Sequence, residues 1–240
     1  MFAWPRTARL VLVFLLLLWL RPQLSPAAAS KYRLIFQNQY VEVFDLELDR
    51  DRQAPIHDNL YDVLWIPLDG ANLELQGVDG TRELELGAGD LRIFQKHAMK
   101  SLLNKTGGTI HAVVIYLRHG SGFANCGCLS EVERAICGCS DAGHLPDIWA
   151  LAGSEFTLSQ ATLQPGDALR EISERDDTLL VALRPLDLKH EVNAGQREEW
   201  APSASTLIHL DTGEVEWLQK GKHHLTNESN KPARFISIEF

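Results

Sequence analysis

Four cysteines are the most specific chemical feature of the chain: Cys126-Gly-Cys128, eight residues, then Cys137-Gly-Cys139. Two such pairs can close two disulfides, or they can offer four thiolates to zinc or another soft metal. The C-x-C spacing is shorter than in most zinc knuckles, and an oxidising compartment favours bridges. Nested pairing, Cys126 with Cys139 and Cys128 with Cys137, is one of three connectivities. The second feature is the adjacent imidazoles His223 and His224. Neighbours on a strand point to opposite faces, so one of them faces inward, with Glu174 as a candidate partner. Asn104-Lys-Thr106 and Asn227-Glu-Ser229 match the N-glycosylation pattern, which has meaning only in a eukaryotic source. No nucleophile elbow, phosphate-binding glycine loop or His-Glu-x-x-His zinc motif occurs.

The compartment is written in the first thirty residues. Arg6 and Arg9 precede an uninterrupted apolar run, Leu10 to Leu20, and Ala27-Ala28-Ala29 supplies small residues for cleavage. A membrane span needs roughly 20 apolar residues, whereas this run stops at Arg21 and Pro22. The expectation is a secretory signal over 1–29, cut after Ala29, with export to the periplasm or extracellular space and no stable membrane span left. The mature chain would carry 20 bases against 32 acids, a net charge of −12. Such a balance speaks against nucleic acid as a partner, because phosphate binding draws on clustered Lys and Arg.

The elements that must position these groups read as strands. Tyr40 to Leu48, Asn72 to Leu75 and Glu83 to Leu86 alternate apolar and polar residues, the period of half-buried strands. Asp69-Gly70 and Asp79-Gly80 punctuate them as hairpin turns, suggesting an antiparallel meander. Strand character resumes at Phe156. Between lie the cysteines, a capping box at Ser130 and Glu133, and a second short helix expected over Leu145 to Ala152 and ended by Gly153. The two halves repeat each other. Asp62 to Leu68 matches Asp177 to Leu183, and Gly89 to Asn104 matches Gly213 to Asn227. A duplicated β-barrel follows, over 30–118 and 154–240, joined by a Cys-rich helical connector over 119–153; closure removes exposed sheet edges.

Gly213 to Asn227 resembles the second motif of the cupin superfamily, a glycine-opened strand, a short turn, then His and Asn, and the resemblance covers about 33–118 and 155–240. It implies an all-β fold of two cupin-like jelly-roll barrels. Counting forward from Gly213 puts His224 at the ligand position; counting back from Asn227 puts His223 there. In the first copy Lys100 stands at the histidine position and His97 at the turn glycine. The first motif, two histidines and a carboxylate, is matched in part by His57, Asn59 and Asp62, and in the second copy by no histidine. The resemblance therefore implies ligand-binding barrel mouths at His57, Asn59, Asp62, Lys100, Glu174, His223 and His224. Its metal candidates would be His57 and Asp62 in the first barrel and His224 in the second, with one divalent Zn, Fe or Mn ion as the cofactor. With neither set complete, the expected function is a non-catalytic or weakly catalytic binder of a small ligand, anionic if Lys100 takes over the metal's charge. The alternatives are a metal-dependent isomerase or dioxygenase and a protein-protein assembly module, including a homodimer.

Overall fold

The alternation seen in the sequence becomes two pairs of antiparallel sheets. The computed structural model describes residues 30–54, 60–77, 80–119, 149–152, 155–172, 176–193 and 204–240, with Val132, Ile136 and Cys137. For Met99, Lys100, Trp149, Arg170, Glu171, Ile172, Asn193 and Ala204 it describes the backbone alone. The first half holds β1 (Lys31–Gln37), β2 (Val41–Leu48), β3 (Gln53–Ala54), β4 (Asp62–Pro67), β5 (Ala71–Gly77), β6 (Gly80–Leu86), β7 (Arg92–Phe94), β8 (Met99–Asn104) and β9 (Ile110–Leu117). They form a five-stranded sheet, β1-β2-β9-β4-β7, and a four-stranded sheet, β3-β8-β5-β6.

The second half repeats this with β10 (Trp149–Ala152), β11 (Thr157–Leu163), β12 (Ala168–Ile172), β13 (Thr178–Ala182), β14 (Leu186–Asn193), β15 (Ala204–Leu210), β16 (Val215–Leu218), β17 (Lys222–Asn227) and β18 (Ala233–Glu239). Their sheets, β10-β11-β18-β13-β16 and β12-β17-β14-β15, have the same order. The meander expected from the turns is replaced by an interleaved jelly roll. Asp69-Gly70 does not close a hairpin: β4 pairs with β7 and β9, while β5 pairs with β6 and β8, so this turn carries the chain between sheets.

Parity within each strand sorts the apolar residues into three cores. In β4, Val63 and Trp65 face the interior of the first barrel, whereas Leu64 and Ile66 face away. In β13, Leu180 and Ala182 face the second interior, whereas Leu179 and Val181 face away. The outward residues of both five-stranded sheets form one shared core, so the barrels pack sheet on sheet. These strands are apolar on both faces for that reason.

The contact is reciprocal. A Cβ on Gly89 would lie 3.0 Å from Leu183 Cδ1, and one on Gly213 would lie 2.6 Å from Leu68 Cδ1. Both glycines also hold positive φ, 78° and 83°. Gly213→Ala is therefore expected to cost about 2–3 kcal/mol, from left-handed strain plus overpacking. Calorimetry should show the melting temperature about 4–12 °C lower.

The helix expected to end at Gly153 is instead strand: Trp149 to Ala152 pair with Gln160 to Thr157 as β10 against β11, and Leu151 joins the shared core. Five apolar residues make barely more than one helical turn, and the free edge of β11 offers a full ladder. The second set of sheets thus begins at Trp149, inside the span assigned to the connector. Within the connector, Val132, Ile136 and Cys137 are helical, and the i, i+4 pair Val132 and Ile136 packs on the shared core. Cys137 is disulfide-bonded; Cys126, Cys128 and Cys139 lie outside the described residues, as does the segment 1–29.

Candidate functional site

The interior of the second barrel carries the more polar constellation. Leu186 and Leu188 of β14 point inward, and the same parity brings His190 to the inner wall. On β17, Leu225 points inward, so His223 is the inward member of the adjacent pair, at 4% exposure. His224 is on the outer face, where its Nδ1 lies 3.7 Å from Glu191 Oε2; the ligand position counted back from Asn227 is the one that faces the barrel.

The two inward imidazoles form a relay whose direction is fixed by chemistry. His223 Nε2 is 2.6 Å from the Gln219 carbonyl, which only accepts, so Nε2–H donates. With that proton committed, His223 accepts at Nδ1 from His190 Nε2–H, 2.8 Å away. His190 is left with Nδ1 as an acceptor for Thr206 Oγ1, 3.4 Å away on the facing strand. Burial, followed by the neighbouring His223, holds the His190 pKa below the usual histidine value.

Other hydroxyls share this interior. Thr178, fully buried, has no hydrogen-bond partner for Oγ1 among the described residues. Ser159 and Ser237 bond through their hydroxyls at 2.6 Å. Glu239, the register neighbour of Thr178, has its carboxyl pushed up by burial and by Asp176. Sequence reasoning missed His190, Thr206 and Thr178 because no motif includes them; the alternation Leu186, Leu188, His190 was the available signal.

The first barrel is filled differently. Trp65, Phe94 and Tyr116 line it, and Phe44 packs edge-on between Tyr32 and Tyr116 at 5.7 and 5.5 Å. Burial, then Tyr116, raises the Tyr32 phenol. Arg92, 3% exposed, pairs with Trp65 on the inner face, where the second barrel has Glu216 opposite Leu180. Asp62 is buried, and its Oδ1 accepts the Lys96 amide at 2.7 Å. Asp177 does the same for the Lys220 amide at 2.8 Å. Both aspartates therefore brace the turn before β8 or β17. His97 holds φ 64°, a glycine-like role in that turn. Lys100 lies in β8, whose backbone alone bears on its place. His57, Asn59 and Glu174 lie outside the described residues.

The motif asparagines are structural clamps. Asn104 Nδ2 donates to the Leu48 and Gly108 carbonyls at 2.8 and 2.9 Å, and Asn227 Nδ2 donates to those of Leu163 and Lys231, each at 2.8 Å. Their Oδ1 atoms accept the amides of Thr106 and Ser229. Both side chains are fully buried, so neither glycosylation pattern is accessible in the folded protein.

The described donors do not fit a divalent cation. Among the described residues no three His, Cys, Asp or Glu side chains converge. His223 has both nitrogens engaged, Asp62 in the first barrel serves a backbone amide, and His224 in the second faces out, while His57 lies outside the described residues.

Two interleaved antiparallel barrels, packed sheet on sheet and each ending in an asparagine clamp, define a duplicated jelly-roll protein. No protein-family model and no curated protein matches the sequence. Solved structures do. AerE from Microcystis aeruginosa superposes with TM-score 0.60 at 13% identity, over 91% of this chain and 94% of that one. A Bacillus subtilis oxalate decarboxylase variant gives 0.58 at 11% identity, over 88% and 72%. A cupin 2 conserved barrel domain protein from Leptotrichia buccalis gives 0.54 at 10% identity, over 88% and 89%. The chain has the cupin fold in its two-barrel form. No helix among the described residues is long and apolar enough to cross a membrane.

Proposed function

We propose that this is an exported, two-barrel cupin-fold protein that holds a small polar ligand in its second barrel without a bound metal. The observation that carries this reading is the His190–His223–Gln219 relay, which uses the inward imidazole nitrogens on each other and leaves His190 Nδ1, weakly held by Thr206, as the open acceptor on the inner wall. A ligand hydroxyl or acid proton replaces Thr206 there, and the buried hydroxyls of Thr178, Ser159 and Ser237 offer further donors. Export rests on the leader at 1–29. The disulfide at Cys137 supports two bridges within the cysteine quartet.

The test is thermal unfolding of the mature protein against a panel of sugars and small carboxylates. A true ligand at about 100 times its Kd stabilises by about 2.7 kcal/mol, or about 5–11 °C. The shift is lost in His190→Ala. No shift from any member of the panel, or stoichiometric Fe, Mn or Zn in the purified protein, would overturn the reading.

A further inference from the structure

A cavity lies at the seam between the barrels. It encloses about 220 Å³ and is lined by Tyr40, Leu117 and His119 from the first barrel and Glu155, Phe156 and Phe240 from the second. It is smaller than the roughly 300–1,000 Å³ of sites for drug-sized molecules, so it suits a headgroup or a compact ion.

Among the described lining residues the one carboxylate is joined by acceptors and aromatic rings. Glu155 contributes a carboxylate at the rim. His119 donates Nε2–H to the Gln39 carbonyl at 3.1 Å. Tyr40, Phe156 and Phe240 contribute aromatic rings, whose faces are electron-rich. Among the described residues no lysine or arginine lines the cavity. Arg118, next to His119 in sequence, is bonded to Glu42.

The rings are held in place before any ligand arrives. Asn38 Oδ1 accepts the Tyr40 and Val41 amides at 2.8 and 3.0 Å, fixing the turn that presents Tyr40. Tyr40 stacks on Phe240 and Trp217 with centroids 5.4 and 5.9 Å apart, and His119 meets it edge-on at 6.0 Å. Phe240 lies 6.1 Å from Phe156 and 5.7 Å from Trp217. Such preorganisation lowers the ordering cost of binding.

We propose that this seam cavity binds a small organic ammonium ion, with Tyr40 and Phe240 supplying cation–π contact and Glu155 the counter-charge. A compact ammonium fits the volume, meets a carboxylate and aromatic rings beside the aliphatic Leu117, and is drawn toward an acidic chain. A neutral apolar group would gain the same burial but nothing from Glu155 or from the ring quadrupoles.

Calorimetric titration of the full mature chain with choline, beside its uncharged isostere 3,3-dimethylbutan-1-ol, separates the two. Choline is expected to bind at least about tenfold more tightly than the alcohol. Glu155→Gln and Tyr40→Leu should each weaken choline by about 3- to 30-fold, while Tyr40→Phe keeps the affinity within about twofold and shows that the turn still folds. Co-sedimentation with phosphatidylcholine vesicles tells a lipid headgroup from a free ion; either form supports the ammonium site. Equal affinity for choline and the alcohol, no choline binding, or choline binding untouched by both Glu155→Gln and Tyr40→Leu overturns the proposal.

Discussion

Asn227→Asp is expected to destabilise the protein by about 3–5 kcal/mol, the range for breaking a fully buried polar cluster. The substitution keeps size and shape but turns the donor that serves the Leu163 and Lys231 carbonyls into an acceptor. Two carbonyls then face a carboxyl with no water to relieve them. Ionisation is disfavoured by burial, and protonation restores one donor where two hydrogens stood. Urea unfolding of the mature protein should show the midpoint moved sharply down, and Asn104→Asp should behave alike because Asn104 makes the same bonds to Leu48 and Gly108. A loss below about 1 kcal/mol in both variants would mean that the clamp is dispensable.

The second large effect concerns the imidazole relay. His223→Leu removes the acceptor for His190 Nε2–H and the donor to the Gln219 carbonyl, leaving two half-buried groups unpaired at a cost of about 2–4 kcal/mol. The relay also makes the fold sensitive to acid. Burial and His223 depress the folded-state pKa of His190 below 6.5, so below that value the unfolded chain binds more protons and stability falls as pH drops. Two groups oppose this trend. Asp187 raises the exposed His209, whose contribution salt screens, and Glu239 is raised by burial. The measurement is therefore a difference: stability lost by the native protein between pH 7.5 and 5.5, minus that lost by His190→Gln. A positive difference is expected; zero or a negative one counts against burial depressing His190.

Much of the fold was legible because the chain repeats itself. The matching runs at Asp62 and Asp177, and at Gly89 and Gly213, align residues that make matching bonds, such as Asp62 to the Lys96 amide and Asp177 to the Lys220 amide. Strand order was not legible from turn chemistry, since Asp69-Gly70 looks the same whether it closes a hairpin or passes the chain between sheets. β10 read as helix because Ile148-Trp-Ala-Leu-Ala152 has helical composition, and only the edge of β11 makes it a strand. Within the site, the order of His223 and His224 hinged on a one-residue deletion in the turn, which β17 settles by keeping His223, Leu225 and Asn227 on one face. His190 escaped notice because it stands on a strand that belongs to no motif.

The crossed packing of Gly89 on Leu183 and Gly213 on Leu68 has a bearing on ancestry. Residue i touching j while the counterpart of i touches the counterpart of j is the mark of two like bodies related by a half-turn, as in a symmetric dimer. A chain half as long would have met its twin through this very surface. Within one polypeptide the two interiors need not stay alike, and they do not: the first holds aromatic rings and Arg92, the second hydroxyls and imidazoles.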